Sequence, residues 1–215
     1  MKVLITGGSG LIGRSITKKL IIGNIPVVHL TRNKNSSNDV KTYEWDWEKN
    51  QIDVSCFQDV THIIHLAGAN IAEKPWTMRR KRLIVKSRVH SARLIHEKVN
   101  ELNLPLEAFI SASGTGYYGA RTVERIFEEK DKNYEDFISE CCVQWEAAAD
   151  LFQNASRVVK LRLGIVLNKN EGALPKLSGF IKKGIGSAIG SGKQYMPWIH
   201  LDDATNLFIE SLNNK

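Results

Sequence analysis

The opening stretch, MKVLITGGSGLIG, constrains this chain more than any other. Val3-Leu4-Ile5 is a short apolar run, the pattern of a strand buried on both faces. It ends at Gly7-Gly8, and Gly10 and Gly13 follow at three-residue spacing. Beyond Gly10 the period turns helical, with Leu11, Ile12, Ile16, Leu20 and Ile21 on one face. Strand, glycine turn, helix is the context in which glycines cradle a dinucleotide. Gly7 would make the tight turn, Gly10 would admit the pyrophosphate against the backbone, and Gly13 would let the helix sit close to the strand. The helix N-terminus would then point N–H groups at phosphate. The competing reading is a glycine-rich loop that merely turns the chain.

The second strand, Pro26–Thr31, bears on which dinucleotide fits. NAD sites carry an Asp or Glu roughly 20 residues past the glycines, on the ribose 2′-hydroxyl. Here the chain reads Thr31-Arg32-Asn33-Lys34, with no acid. Arg32 suits a 2′-phosphate, which a guanidinium can grip bidentately. The expected cofactor is NADP in preference to NAD; the bland alternative is a solvated arginine. Asn33–Asp39 reads as a polar loop and Thr42–Trp45 as a third strand. Asp46, at its end, either reaches the adenine amino group or sits in an exposed turn. Asp59–Ala67 is a fourth strand, closing on Ala67-Gly68-Ala69, small enough for a ribose to lie against the backbone.

Thr77 can cap a long helix over Trp76–Asn100. Its first half is rich in cations: Arg79, Arg80, Lys81, Arg82, Lys86 and Arg88. With a net charge of +7, a nucleic-acid interface has to be considered. Such a face wants interleaved aromatics, and only Trp76 is near, so a solvated helix face is the better reading. Leu106–Ser113 is strand five, Tyr134–Asn154 a helix, and Arg157–Leu163 strand six. Alternating strands and helices imply an α/β fold with a doubly wound parallel sheet, its ligands at the carboxyl ends of the strands. After Val166 the character changes: a helix over Ala173–Lys183, the glycine-punctuated GIGSAIGSGKQ, a short strand at Trp198–His200 and a helix over Asp202–Leu212. The expected division is a dinucleotide-binding domain over 1–165 and the beginning of a small substrate-binding lobe over 166–215.

Three cysteines, two of them adjacent, form no disulfide framework and suit a reducing, cytoplasmic setting. The N-terminus lacks a signal-peptide pattern, no apolar run reaches membrane-spanning length, and no metal-ligand spacing occurs. His62 and His65 fall in an apolar strand and read as core residues.

The motifs TGGSGLIG, HLAGANI, Trp76 with Lys86-Ser87-Arg88-Val89, SASGTGYYG, Trp145-Glu146, LRLGIVL and GSGKQYMPWIHLDD together resemble the extended short-chain dehydrogenase/reductases. More closely, they are similar to the atypical NAD-dependent epimerase/dehydratase family of the YfcH and SDR39U1 type. The resemblance spans nearly the whole chain, in order. It implies a Rossmann fold with dinucleotide contacts at Gly7, Ser9, Gly10, Leu11, Ile12, Arg32, Leu66, Ala67 and Gly68. Gly13 and Thr31 adjoin these positions, Asp46 is the separate candidate at the adenine, and Ser87 stands where extended members often carry Asn. Many relatives dimerise through the long helix and the one at Tyr134–Asn154, so a homodimer is an expected assembly. Family proteins usually continue past the point where this sequence stops, so the chain resembles a truncated member.

The superfamily's Tyr-x-x-x-Lys pair cannot be read at Cys141-Cys142-Val143-Gln144-Trp145-Glu146. In that pair the cation helps the tyrosine exchange a proton. The candidates to replace it are Ser113, Tyr117 and Tyr118, with Lys86 as cation and Glu146 as acid or base. Their bland alternative is loop packing. His200 and Asp202 are candidates for the substrate pocket. Two readings of function stand. One is an NADP-dependent epimerase, dehydratase or reductase acting on a small polar metabolite, with nucleotide sugars as the class suggested by analogy. The other is an inactive NADP-binding regulator or scaffold.

Overall fold

The computed structural model describes residues 1–32, 40–182, 184–188 and 190–213. The loop expected over Asn33–Asp39 and the last residue of the helix expected over Ala173–Lys183 lie outside them.

β1 (Val3–Thr6) leads through the glycine turn into α1 (Leu11–Ile22), which ends at Gly23. β2 (Val27–Thr31) and β3 (Lys41–Asp46) follow, and then β4 (Gln51–Ile52), which folds back antiparallel on β3. No apolar alternation announces β4: it is two residues long and is reached by a turn in which Asn50 takes φ 53°. β5 (His62–His65) is shorter than its apolar run. Asp59 lies in a turn with φ 59°, and beyond His65 the Leu66 and Ala67 amides bond to Thr6 Oγ1, each at 3.2 Å. α2 (Met78–Glu101) starts where Thr77 caps it, Oγ1 accepting from the Arg80 amide at 3.2 Å.

β6 (Ala108–Gly114) pairs with β7 (Arg157–Leu163) along its whole length. Between them, α3 (Phe137–Ala149) starts later than its apolar pattern suggested. Asp136 caps it through the Ser139 amide at 2.8 Å, and Tyr134 is occupied upstream, its amide bonded to Tyr117 O at 3.1 Å. β8 (Ile165–Leu167), α4 (Ala173–Lys182), β9 (Trp198–His200) and α5 (Leu201–Asn213) complete the chain. β8 and β9 pair parallel as a separate two-stranded sheet.

The main sheet has the order β4-β3-β2-β1-β5-β6-β7 and is parallel apart from β4. β1 has β2 on one side and β5 on the other, so the winding reverses there and a crevice opens at the carboxyl ends. This is a Rossmann-type doubly wound sheet. Alternation in β1 divides the core: Leu4 faces Leu94, Ile95 and Phe109, whereas Val3 and Ile5 face Ile16, Leu20 and Phe208. α5 belongs to the second layer. Phe208 and Leu212 are buried in it, and Arg157 Nη2 donates to the carbonyls of Ser211 and Leu212 at 2.8 and 3.0 Å. The final helix therefore covers the main sheet rather than standing apart from it.

Candidate functional site

A cleft of about 760 Å³ lies at this reversal point. Gly7, Ser9 and Gly10 line it from the turn after β1, Thr31 and Arg32 from the end of β2, and Leu66 to Asn70 from the end of β5. Gly7 takes φ 71°, and a Cβ there would lie 3.0 Å from the Leu66 carbonyl carbon, so the turn abuts the β5 end. Gly13 packs differently: its Cβ would be 2.4 Å from Gly7 O. The first hydrogen bond of α1 runs from the Arg14 amide to Gly10 O, so the amides of Leu11 and Ile12 precede it and face out of the helix end. The Ile12 side chain packs into the core.

Thr6 ties the two halves of the cleft together. Its hydroxyl accepts from the Leu66 and Ala67 amides and meets His65 Nδ1 at 2.9 Å, while His65 Nε2 meets Ser91 on α2 at 3.2 Å. Burial lowers the His65 pKa to about 4, which keeps the ring neutral in this network. Ser87 Oγ accepts from the Ala69 amide at 2.9 Å and donates to Ile84 O, fixing the turn after β5 to α2. Leu30, Trp45, Trp47 and Leu83 form an apolar wall. The charged residues among those lining the cleft are Arg32, Arg80 and Glu73. A positive-φ glycine turn, outward amides and two guanidiniums fit a dinucleotide diphosphate.

Asp46 is not brought to this cleft. Its carboxylate caps the turn after β3, with Oδ1 accepting from the Glu48 and Lys49 amides at 2.9 and 3.3 Å. Of the two readings for Asp46, the geometry is that of the turn.

A second cluster lies at the carboxyl ends of β6 and β7, where Ser113 and Arg162 are register partners. Ser113 Oγ donates to Glu146 Oε1 at 2.6 Å. Arg162 grips the same carboxylate from Nε and Nη2, both at 2.8 Å. Its Nη1 donates to Tyr118 Oη at 2.8 Å and to Glu129 O at 3.1 Å, and its guanidinium lies 3.5 Å from the centre of the Tyr117 ring. Burial alone would raise the Glu146 pKa, but hydrogen bonds from Arg162 and Ser113 and the Arg162 charge outweigh it, so the pKa is lowered. Glu146 is thus a fixed carboxylate acceptor rather than a proton donor. The cation beside Tyr118 is Arg162, which lies within the LRLGIVL motif but is not among the candidates read from the sequence. Lys86, expected there, lines a groove between α2 and α3 instead. His200 and Asp202 are exposed and face each other, Nδ1 to Oδ2 at 3.6 Å, and do not line the cleft.

The family model described as NAD dependent epimerase/dehydratase matches residues 3–215. A curated epimerase family protein of Arabidopsis thaliana, a chloroplastic SDR39U1 homolog, is 32% identical over 228 residues, covering 100% of this chain and 63% of its own. An epimerase family protein of Mycobacterium tuberculosis is 33% identical over 202 residues, 94% of this chain and 65% of its own. The chain therefore spans less than two thirds of the length of these relatives. Among solved structures, human epimerase family protein SDR39U1 with NADPH matches with a TM-score of 0.83 at 26% identity, over 100% of this chain and 70% of that one. A nucleoside-diphosphate sugar epimerase from Corynebacterium glutamicum matches with a TM-score of 0.82 at 28% identity, over 98% and 43% of the two chains.

Proposed function

Because the chain belongs to the NAD dependent epimerase/dehydratase family, we propose that it binds NADP in the cleft and acts as an oxidoreductase on a small polar metabolite. The observation that carries the cofactor choice is Arg32 lining the cleft directly after β2, where an NAD site would carry an acid. The glycine turn and the amides of Leu11 and Ile12 would hold the pyrophosphate, Arg32 and Thr31 the 2′-phosphorylated ribose, and the Leu30–Trp45–Trp47–Leu83 wall the adenine. Leu66, Ala67, Gly68 and Ser87 would carry the nicotinamide half toward the β6 end. We assign the dinucleotide to residues 1–165 and the substrate cover to the part of residues 166–215 that precedes α5, since α5 itself packs on the main sheet. Bound NADPH or NADP supplies or accepts a hydride. Ser113 and Tyr117 would orient a substrate carbonyl or alcohol, while Arg162 and Glu146 hold Ser113 and Tyr118 in place. Nucleotide sugars are the first substrate class to test, because one of the similar structures is that of a nucleoside-diphosphate sugar epimerase.

One observation favours a second reading, a binding protein without turnover. Arg162 occupies both oxygens of Glu146, which also accepts from Ser113. Titration calorimetry with NADP and NAD, on the protein and on Arg32→Ala, tests the cofactor assignment. Loss of one bidentate phosphate contact costs about 1.5–3 kcal/mol, roughly ten- to a hundredfold in affinity. NADP should bind far better than NAD and the variant should erase the gap; equal affinities in the unaltered protein would overturn the assignment. NADPH oxidation with carbonyl substrates then separates enzyme from binding protein.

A further inference from the structure

Two guanidiniums from α2 bracket the turn after β5. Arg80 Nη2 donates to the Asn70 carbonyl and, at 2.9 Å, to Glu73 Oε2. Its side chain is 10% exposed, and its Nε is buried with no partner among the described residues. Two helical turns on, Arg88 is 6% exposed, and its Nη1 donates to Ala69 O and Ile84 O at 3.1 and 2.9 Å. Its Nε is likewise buried without a partner among the described residues. The guanidinium lies so close to Gly68 that a Cβ there would be 2.9 Å from Cζ. Burial, together with the nearby charge of Arg80, depresses the Arg88 pKa.

Glu73 is the carboxylate at this turn, and its side chain is 55% exposed. Two largely buried cations thus flank the turn, and among the described residues Arg80 alone is ion-paired there, to this solvent-facing carboxylate. Burying uncompensated charge is costly, and an idle buried N–H adds to the cost. A phosphoryl group entering the cleft would relieve both, because Arg80 lines the same cleft as Gly7, Ser9 and Arg32. A guanidinium matches phosphoryl oxygens in charge and in its forked geometry.

Resting on the dinucleotide reading above, we propose that Arg80 is a second phosphoryl-binding residue of the cleft, that Glu73 is its placeholder in the free protein, and that Arg88 adds fixed positive charge behind the Gly68–Asn70 turn. Glu73 exchanges with the incoming phosphate because it is the exposed partner. The phosphoryl group comes either from the pyrophosphate or from the 2′-phosphate, and the two sources are separable.

The test is titration of NADP and NAD into the full chain and into Arg80→Ala, Arg80→Lys and Glu73→Gln, with circular dichroism to verify folding. Arg80→Ala should weaken NADP binding at least about tenfold, and Arg80→Lys, which keeps the charge but loses the fork, should fall between. Glu73→Gln leaves Arg80 in place and removes its competitor, so NADP should bind about threefold tighter, with a steeper dependence on salt. Equal losses for NADP and NAD in Arg80→Ala identify the pyrophosphate as the group held; loss for NADP alone identifies the 2′-phosphate. If Arg80→Ala binds both within about twofold of the unaltered protein, or Glu73→Gln binds no better, the proposal is overturned while the cofactor assignment stands. If the unaltered protein binds neither nucleotide, both fall together.

Discussion

Removal of either partner from the Arg162–Glu146 pair should cost this protein a large share of its stability. Glu146 is 7% exposed and the Arg162 side chain 18% exposed, so the pair is mostly shielded from water. Truncating one member of a shielded pair leaves an uncompensated charge, worth about 3–5 kcal/mol. After Glu146→Ala the guanidinium still holds Tyr118 Oη and Glu129 O and keeps some water contact. That places the expected loss near the lower bound, about 3 kcal/mol, or about 6–12 °C in melting temperature for a chain of this size. Urea unfolding of Glu146→Ala, Arg162→Ala and the double variant forms the cycle. The double variant removes both charges together, so it should lose less than the sum of the singles, with a coupling of about 2 kcal/mol. A second readout follows from the loop that Arg162 holds through Glu129. Arg121 and Arg125 in that loop are exposed, so trypsin should cut there faster in Arg162→Ala under native conditions. Single variants that each cost under about 1 kcal/mol, add without coupling and leave tryptic cleavage unchanged would refute the clamp.

Two further expectations rest on the elements around the glycine turn. Burial lowers the pKa values of His29 and His65 from 6.5 to about 4, so the folded state prefers both rings neutral. Between these values the unfolded chain binds more protons. Stability should therefore rise with pH from about 4 to 6.5 and flatten above, by about 3 kcal/mol per ring across the window. The slope of urea midpoint against pH should fall in His29→Gln, and an unchanged slope would show that His29 does not titrate across the transition. Gly13→Ala would place a methyl 2.4 Å from Gly7 O and 2.7 Å from Gly8 Cα, both backbone atoms that cannot swing aside. Moving α1 off the turn should cost about 1–3 kcal/mol in urea unfolding and weaken dinucleotide binding, and a variant as stable and as tight as the parent would argue against the close approach.

What could be read from the sequence follows the range of the interactions that make each feature. The glycine turn is local chemistry: a φ of 71° at Gly7 and the exclusion of a Cβ at Gly13 are demands that particular positions state by being glycine. Thr77 and Gly23 mark helix ends for the same reason, and α2 begins within two residues of its expected start. Asp46 was ambiguous because a carboxylate at a strand end can cap a turn or meet a ligand, and only the path to Lys49 decides. α5 was legible as an amphipathic helix, but its packing over the main sheet depends on contacts across the chain. Arg162 was the hardest to foresee. In RVVKLRL it alternates with Lys160 as one more polar position of a strand, and nothing nearby in sequence names its partners. Its role comes from register: β6 sets Ser113 opposite it, and α3 brings Glu146 across the strand pair. A Tyr-x-x-x-Lys pattern is one way to set a cation against a tyrosine, by spacing along a single helix. This chain sets Arg162 against Tyr118 by strand register instead, so the missing lysine shows that a helical spacing is absent, not that the tyrosine lacks a cation.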